Sequence, residues 1–210
     1  MKYIGIWTTH PGFFDGIRTS KVLPLHKTIA LNGPLYLVEE LYKAYPDGIK
    51  MVEMAFRRNV LHIACRYAVS IDLMKFIIEI YPQAADEEDL LGRLPLHYTC
   101  SNGCMENAIE LLLKASTGSA RAYDRKGWLP IHIACSMGAS SKVVKMLVDS
   151  FPEAVSLQTN KGSSVFKCCE MAKGSKYTIA NITILKDALT VYEQSKPNKA
   201  KAPTSVREVV

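Results

Sequence analysis

The stretch Gly127-Trp-Leu-Pro-Ile-His-Ile-Ala-Cys135 decides the fold, because the chain keeps repeating it. The phrase returns as Gly92-Arg-Leu-Pro-Leu-His-Tyr-Thr-Cys100 and, without its glycine and proline, as Arg57-Arg-Asn-Val-Leu-His-Ile-Ala-Cys65. A looser copy runs Lys21-Val-Leu-Pro-Leu-His-Lys-Thr-Ile29. The histidines fall at His26, His62, His97 and His132, spaced by 36, 35 and 35 residues. Self-similarity at such a period is the mark of a solenoid, in which each unit buries its apolar face on its neighbours.

Outward from each phrase the same order of elements follows. A turn leads into a short first helix that opens at Pro24, Pro95 or Pro130, where a missing N–H costs nothing. A loop with small or left-handed-tolerant residues comes next: Asn32-Gly33, Ala68, Asn102-Gly103, Gly138-Ala139. The second helix starts behind Ser70 or Ser140, both good N-cap residues. It carries one apolar grid in every copy: Leu37, Val38, Leu41, Tyr42, Tyr45; then Leu73, Met74, Ile77, Ile78, Tyr81. The later copies are Ala108, Ile109, Leu112, Leu113, Ser116 and Val143, Val144, Leu147, Val148, Phe151. Such spacing makes one broad stripe at 3.6 residues per turn. Pro46, Pro82 and Pro152 close three of these helices.

The predicted architecture is all-α, a solenoid of about five helix–turn–helix repeats over residues 18–53, 54–88, 89–123, 124–158 and 159–195. The last is degenerate: Lys167 stands where histidine belongs, and the grid resumes only at Ile184, Leu185, Ala188, Leu189 and Tyr192 after six extra residues around Gly174–Tyr177. An atypical final repeat is expected of a cap. Residues 1–17 match no repeat in this reading. They hold Trp7, Phe13, Phe14 and a Pro11-Gly12 turn, and are read as a cover for the first repeat's open face. Residues 196–210, basic and without an apolar face, read as a flexible tail.

At Asp124-Arg-Lys-Gly-Trp-Leu-Pro-Ile-His-Ile-Ala-Cys135 and Asp89-Leu-Leu-Gly-Arg-Leu-Pro-Leu-His-Tyr-Thr-Cys100 the chain resembles the ankyrin repeat family. That family's signature is an Asp, a Gly three later, then Thr-Pro-Leu-His and two small residues. The resemblance covers roughly residues 18–195, in a form about two residues longer than the usual 33-residue repeat. Leu23, Leu94 and Leu129 replace the signature threonine, with Asn59 and Ser164 in the other copies. Leucine cannot cap a helix, so the histidine must find backbone groups of its own or the neighbouring repeat.

Composition excludes several functions. Of 210 residues, 48% are apolar and 22% charged, ordinary globular values. The net charge of +6 is modest, and half of it lies in the tail, so nucleic acid is not expected as a partner. No secretory leader or membrane-spanning run is read, and an intracellular protein, cytoplasmic or nuclear and monomeric, is expected. The three His-x-x-Cys pairs (His62/Cys65, His97/Cys100, His132/Cys135) raise zinc as an alternative, but the repeat spreads them along the stack, so no metal and no cofactor are expected. Cys168-Cys169 reads as packing, Asp86–Asp89 as a solvated turn with Asp89 as its turn residue, and Asn181-Ile-Thr183 as an incidental glycosylation pattern. No nucleophile–base or acid–base constellation is present, and no catalytic residue is assigned.

What the family resemblance implies is a protein-binding module that works through its concave face, the turn tips and exposed flank of each first helix. Transferred repeat by repeat, that face holds Phe56, Arg58, Arg66 and Tyr67; Leu90, Leu91, Arg93 and Asn102; and Arg125, Lys126, Trp128 and Met137. These are the residue types that dominate interface hot spots. Five cations among them, and no acid, point to a protein partner with acidic and apolar features. A structural subunit of a larger assembly and a metal or redox sensor remain the alternatives.

Overall fold

The computed structural model describes residues 23–103, 105–172 and 174–195. The expectations for residues 1–17 and for the tail fall outside them. Ten α-helices follow one another in five pairs among the described residues: α1 (Pro24–Ala30) with α2 (Leu35–Ala44), α3 (Val60–Arg66) with α4 (Ile71–Ile80), α5 (Pro95–Ser101) with α6 (Glu106–Ala115), α7 (Pro130–Ser136) with α8 (Ser141–Ser150), and α9 (Val165–Met171) with α10 (Thr178–Ser195). First helices pack in series from α1 to α9, second helices from α4 to α10. Tyr42 of α2 meets Phe76 of α4 edge-on at 6.0 Å.

Local chemistry accounts for the ends of these helices. Between the two helices of a repeat the chain turns through a left-handed residue at one fixed register: Asn32, Ala68, Gly103 and Gly138. Ser70 and Ser140 cap α4 and α8, their hydroxyls accepting from the N–H of Leu73 and Val143. Pro46, Pro82 and Pro152 each open a short 3₁₀ turn directly behind the second helix. A single continuous core runs through the stack. Leu61, Leu96 and Ile131 repeat on the first helices and Ile77, Leu112 and Leu147 on the second, all at most 1% exposed. At roughly 1.5–3 kcal/mol for each fully buried aliphatic side chain, this layer is the main driving force for stacking.

The fifth pair differs from the other four. Lys167 is exposed at the histidine position, and α10 is 18 residues long where the other second helices have 10. Asn181 lies inside α10, 1% exposed; its amide donates to Ala139 O and its carbonyl accepts from Ser141. That asparagine joins two repeats and offers nothing to a glycosylating enzyme.

Candidate interaction surface

Each repeat projects a tip whose shape is set by one acidic or hydroxyl side chain. Asp124 Oδ1 accepts from the N–H of Lys126 at 2.8 Å and of Trp128 at 2.9 Å, and Gly127 then takes φ +74°. Asp89 does the same for Leu91 and Arg93 at 2.7 and 3.0 Å, with Gly92 at φ +68°. Thr159 and Gly162 form the last such tip. Backbone bonds tie the tips into a ladder: Leu90 N–H to Phe56 O at 2.8 Å, Arg125 N–H to Leu91 O at 2.9 Å, Asn160 N–H to Lys126 O at 3.1 Å. The tips therefore form one surface rather than separate loops.

Behind the tips the buried histidines hold neighbouring repeats in register. His97 Nδ1 accepts from Leu94 N–H at 3.1 Å, and its Nε2 reaches the carbonyls of Ala122 and Trp128 at 3.1 and 3.2 Å. His132 repeats this with Leu129 N–H and Leu157 O. His62 uses Asn59 and Arg93 O at 2.8 Å. For His97 and His132 this pattern requires a neutral ring with its proton on Nε2. Burial enforces neutrality, holding His97 down to about 4 and lowering His62 and His132. The leucine N-caps supply no acceptor, and the histidine satisfies their N–H instead, as the sequence required. His26 is the exception. The Met51 and Arg58 carbonyls act on it, yet neither ring nitrogen closes a hydrogen bond, and burial lowers it to about 4.

Five of the six cysteines belong to this interior. Cys65, Cys100, Cys135, Cys168 and Cys169 are buried without disulfides. Burial raises the Cys65 thiol to about 12. Cys135 donates to Cys169, which sits one residue out of its register, and that bond pushes the Cys135 thiol up. Among the described residues no three His, Cys, Asp or Glu side chains converge as a metal site would need. The run Asp86–Asp89 is also more structural than a solvated turn: Glu87 accepts from Tyr81 and Asn59, Asp86 from Ser116, and buried Asp89 from Tyr98.

The twelve residues expected on the binding face divide into two sets. Phe56, Tyr67, Leu90, Leu91 and Met137 are exposed, and so are Arg66, Arg125 and Lys126. The other four are held inside the fold to differing degrees. Arg58 donates to Glu53 at 2.7 Å and stacks over Phe56 at 4.9 Å. Arg93 pairs at 3.2 Å with Asp124, whose side chain is 2% exposed. Trp128 is half-buried on the core, edge-on to His132 at 6.2 Å. Asn102 ends α5, its N–H bonded to Thr99 O. Two of the five cations thus have acids of the chain itself. Arg66, which lies 6.0 Å from the Tyr67 ring, Arg125 and Lys126 have no acidic partner among the described residues.

Three exposed positions escaped the sequence reading. Met54 occupies the tip place held elsewhere by Asp89 and Asp124, and Glu53 has taken over its role, accepting from Phe56 N–H and from Arg58. Lys161 extends the cationic end of the ladder, and Met171 falls at the register of Arg66. Register alone identifies Lys161 and Met171. Met54 was hidden by a one-residue shift in the acid.

Helix pairs stacked on a histidine-stapled core, with bonded tips along one edge, define a helical-repeat protein. Residues 61–158 match the family model of ankyrin repeats in three copies, which supports an ankyrin repeat protein. Comparison with curated proteins gives no match. Ankyrin repeats generally mediate protein–protein interaction and the family is typically non-catalytic. No helix among the described residues is long and apolar enough to cross a membrane.

Proposed function

We propose that this chain is a non-catalytic module that binds a protein partner on the face made by its tips and first helices, the concave face of the family. One observation supports it above the rest: a hydrogen-bonded tip ladder carries exposed apolar side chains and cations without acidic partners on adjacent repeats. A ladder fixed before binding loses little ordering entropy when the partner docks. Phe56, Leu90 and Leu91 supply apolar contact, while Arg125, Lys126 and Arg66 favour acidic groups. Arg58 and Arg93 shape the tips from within. The module acts as a monomer in this reading.

The test is capture from native extract with wild type beside Arg66→Glu/Arg125→Glu/Lys126→Glu, and with Lys145→Glu on α8 as control. The expected outcome is a bound protein lost at least tenfold from the triple variant and kept by the control, with Tm within a few degrees. Equal capture by all three would move the working surface elsewhere.

A further inference from the structure

The tips are not alike from one end of the ladder to the other. At one register position they read Phe56, Leu91, Lys126 and Lys161, and at the position before it Ala55, Leu90, Arg125 and Asn160. The backbone bonds that tie each tip to the next run between these two columns: Leu90 N–H to Phe56 O, Arg125 N–H to Leu91 O, Asn160 N–H to Lys126 O. Order in the sequence is therefore order in space. Phe56, Leu90 and Leu91 are exposed, and so are Arg125, Lys126 and Lys161. Apolar side chains crown the tips at 53–58 and 88–93, cations those at 123–128 and 158–163.

Charge follows the same division. In the apolar half the formal charges cancel, with Glu53, Glu88 and Asp89 against Arg57, Arg58 and Arg93. The cationic half holds Arg125, Lys126 and Lys161 against Asp124 alone, and that acid is buried with its carboxylate 3.2 Å from Arg93 of the preceding tip. None of the three cations has an acidic partner among the described residues. Packed helices stand roughly 8–10 Å apart, so Phe56 and Lys161, three repeats apart, are separated by roughly 25–30 Å. Salt screens charges beyond about 8 Å at physiological ionic strength, so the cations do not act on a group seated over Phe56. Each half meets a different part of whatever lies along the ridge.

Resting on the docking face proposed above, we infer that its occupant is one segment of a partner protein whose apolar and acidic residues form two separate blocks. The apolar block lies over Phe56, Leu90 and Leu91, the acidic block over Arg125, Lys126 and Lys161. Extended backbone advances about 3.3 Å per residue, so about eight or nine residues cover the ridge. A segment with the two kinds of side chain interleaved would set acids over the neutral half and methyl groups over the cations, and would lose both complementarities.

The test selects phage-displayed random peptides of about 12 residues, long enough to cover the ridge, on the full chain. The tightest peptide is then made in two further forms, one with its acids changed to amides and one with its apolar residues changed to serine. All three are titrated against wild type, Arg125→Glu/Lys126→Glu/Lys161→Glu and Phe56→Ser/Leu90→Ser/Leu91→Ser, with Leu91→Ser alone replacing the last if its Tm falls by more than a few degrees. The charge-reversed chain should bind the parent peptide at least tenfold more weakly, yet the amide form within about twofold of wild type. The serine chain should lose the parent peptide to a similar extent, yet bind the serine form within about twofold of wild type. Selected peptides with interleaved acids, or variants that weaken all three forms alike, overturn the two-block occupant and leave the docking face standing. Binding that neither variant changes, or a library without a binder, overturns the docking face and the inference with it.

Discussion

The tips at residues 124–128 and 53–58 have related shapes built by different chemistry. In the former, Asp124 is buried, accepts two backbone N–H groups and the Arg93 guanidinium, and Gly127 takes the left-handed conformation. In the latter the acid has moved back to Glu53, 22% exposed, and the left-handed position is filled by Arg57 at φ 55°. The first is a satisfied network in low dielectric; the second is the same turn held by a longer, wetter side chain and a strained residue. Since each tip also bonds to its neighbour, the quality of one tip affects the next repeat as well.

The largest expected contrast comes from removing each acid. Asp124→Ala strips two N–H groups of their acceptor and leaves Arg93 without its buried partner, a loss of about 3 kcal/mol. Glu53→Ala exposes its partners to water at a site already partly wet and should cost only about 1 kcal/mol. Urea unfolding of both variants reads the difference. Equal losses would show that the two tips are energetically alike despite their chemistry.

The histidine behind the buried tip gives a second contrast, in pH. His97 stays neutral down to about 4, whereas in the unfolded chain it protonates at its ordinary 6.5. As pH falls the unfolded state therefore takes up the proton first. The stabilisation is full above about pH 6.5 and declines as pH drops towards 4, by at most about 3 kcal/mol from this one site. His62 and His132 act in the same direction. Unfolding free energies at pH 7.5 and 4.5 should fall further in wild type than in His97→Gln, by about 2 kcal/mol. Parallel losses would mean that His97 is not the neutral staple.

Much of this was legible in the residues. The histidine period places the repeats, and Pro24, Pro95 and Pro130 with the serine caps place helix starts, because each depends on local backbone chemistry alone. The candidate face was legible only as a register. Whether Arg58, Arg93 and Trp128 face solvent depends on what the neighbouring tip and the next helix bring to them. Arg93 meets Asp124 across 31 residues, a pairing invisible without the stack. Glu53 escaped notice because the alignment puts Met54 at the acid's place.

A third contrast concerns the left-handed residue itself, where the expected effects have opposite signs in the two tips. Gly127→Ala puts a Cβ within 2.3 Å of Asn160 Oδ1 and 2.7 Å of its backbone nitrogen, at a φ that L side chains resist. Tip and ladder both suffer, and about 2 kcal/mol should be lost. Arg57 already carries such a conformation with a Cβ in place. Exchanging it for glycine relieves roughly 1–2 kcal/mol of left-handed strain. The added freedom of the unfolded chain takes back roughly 0.5–1 kcal/mol. Arg57→Gly should thus raise stability by about 0.5–1 kcal/mol, visible as a higher urea midpoint with an unchanged m-value. A lower midpoint would mean that Arg57 contributes through its side chain more than its backbone costs, and that the irregular tip is tuned rather than merely strained.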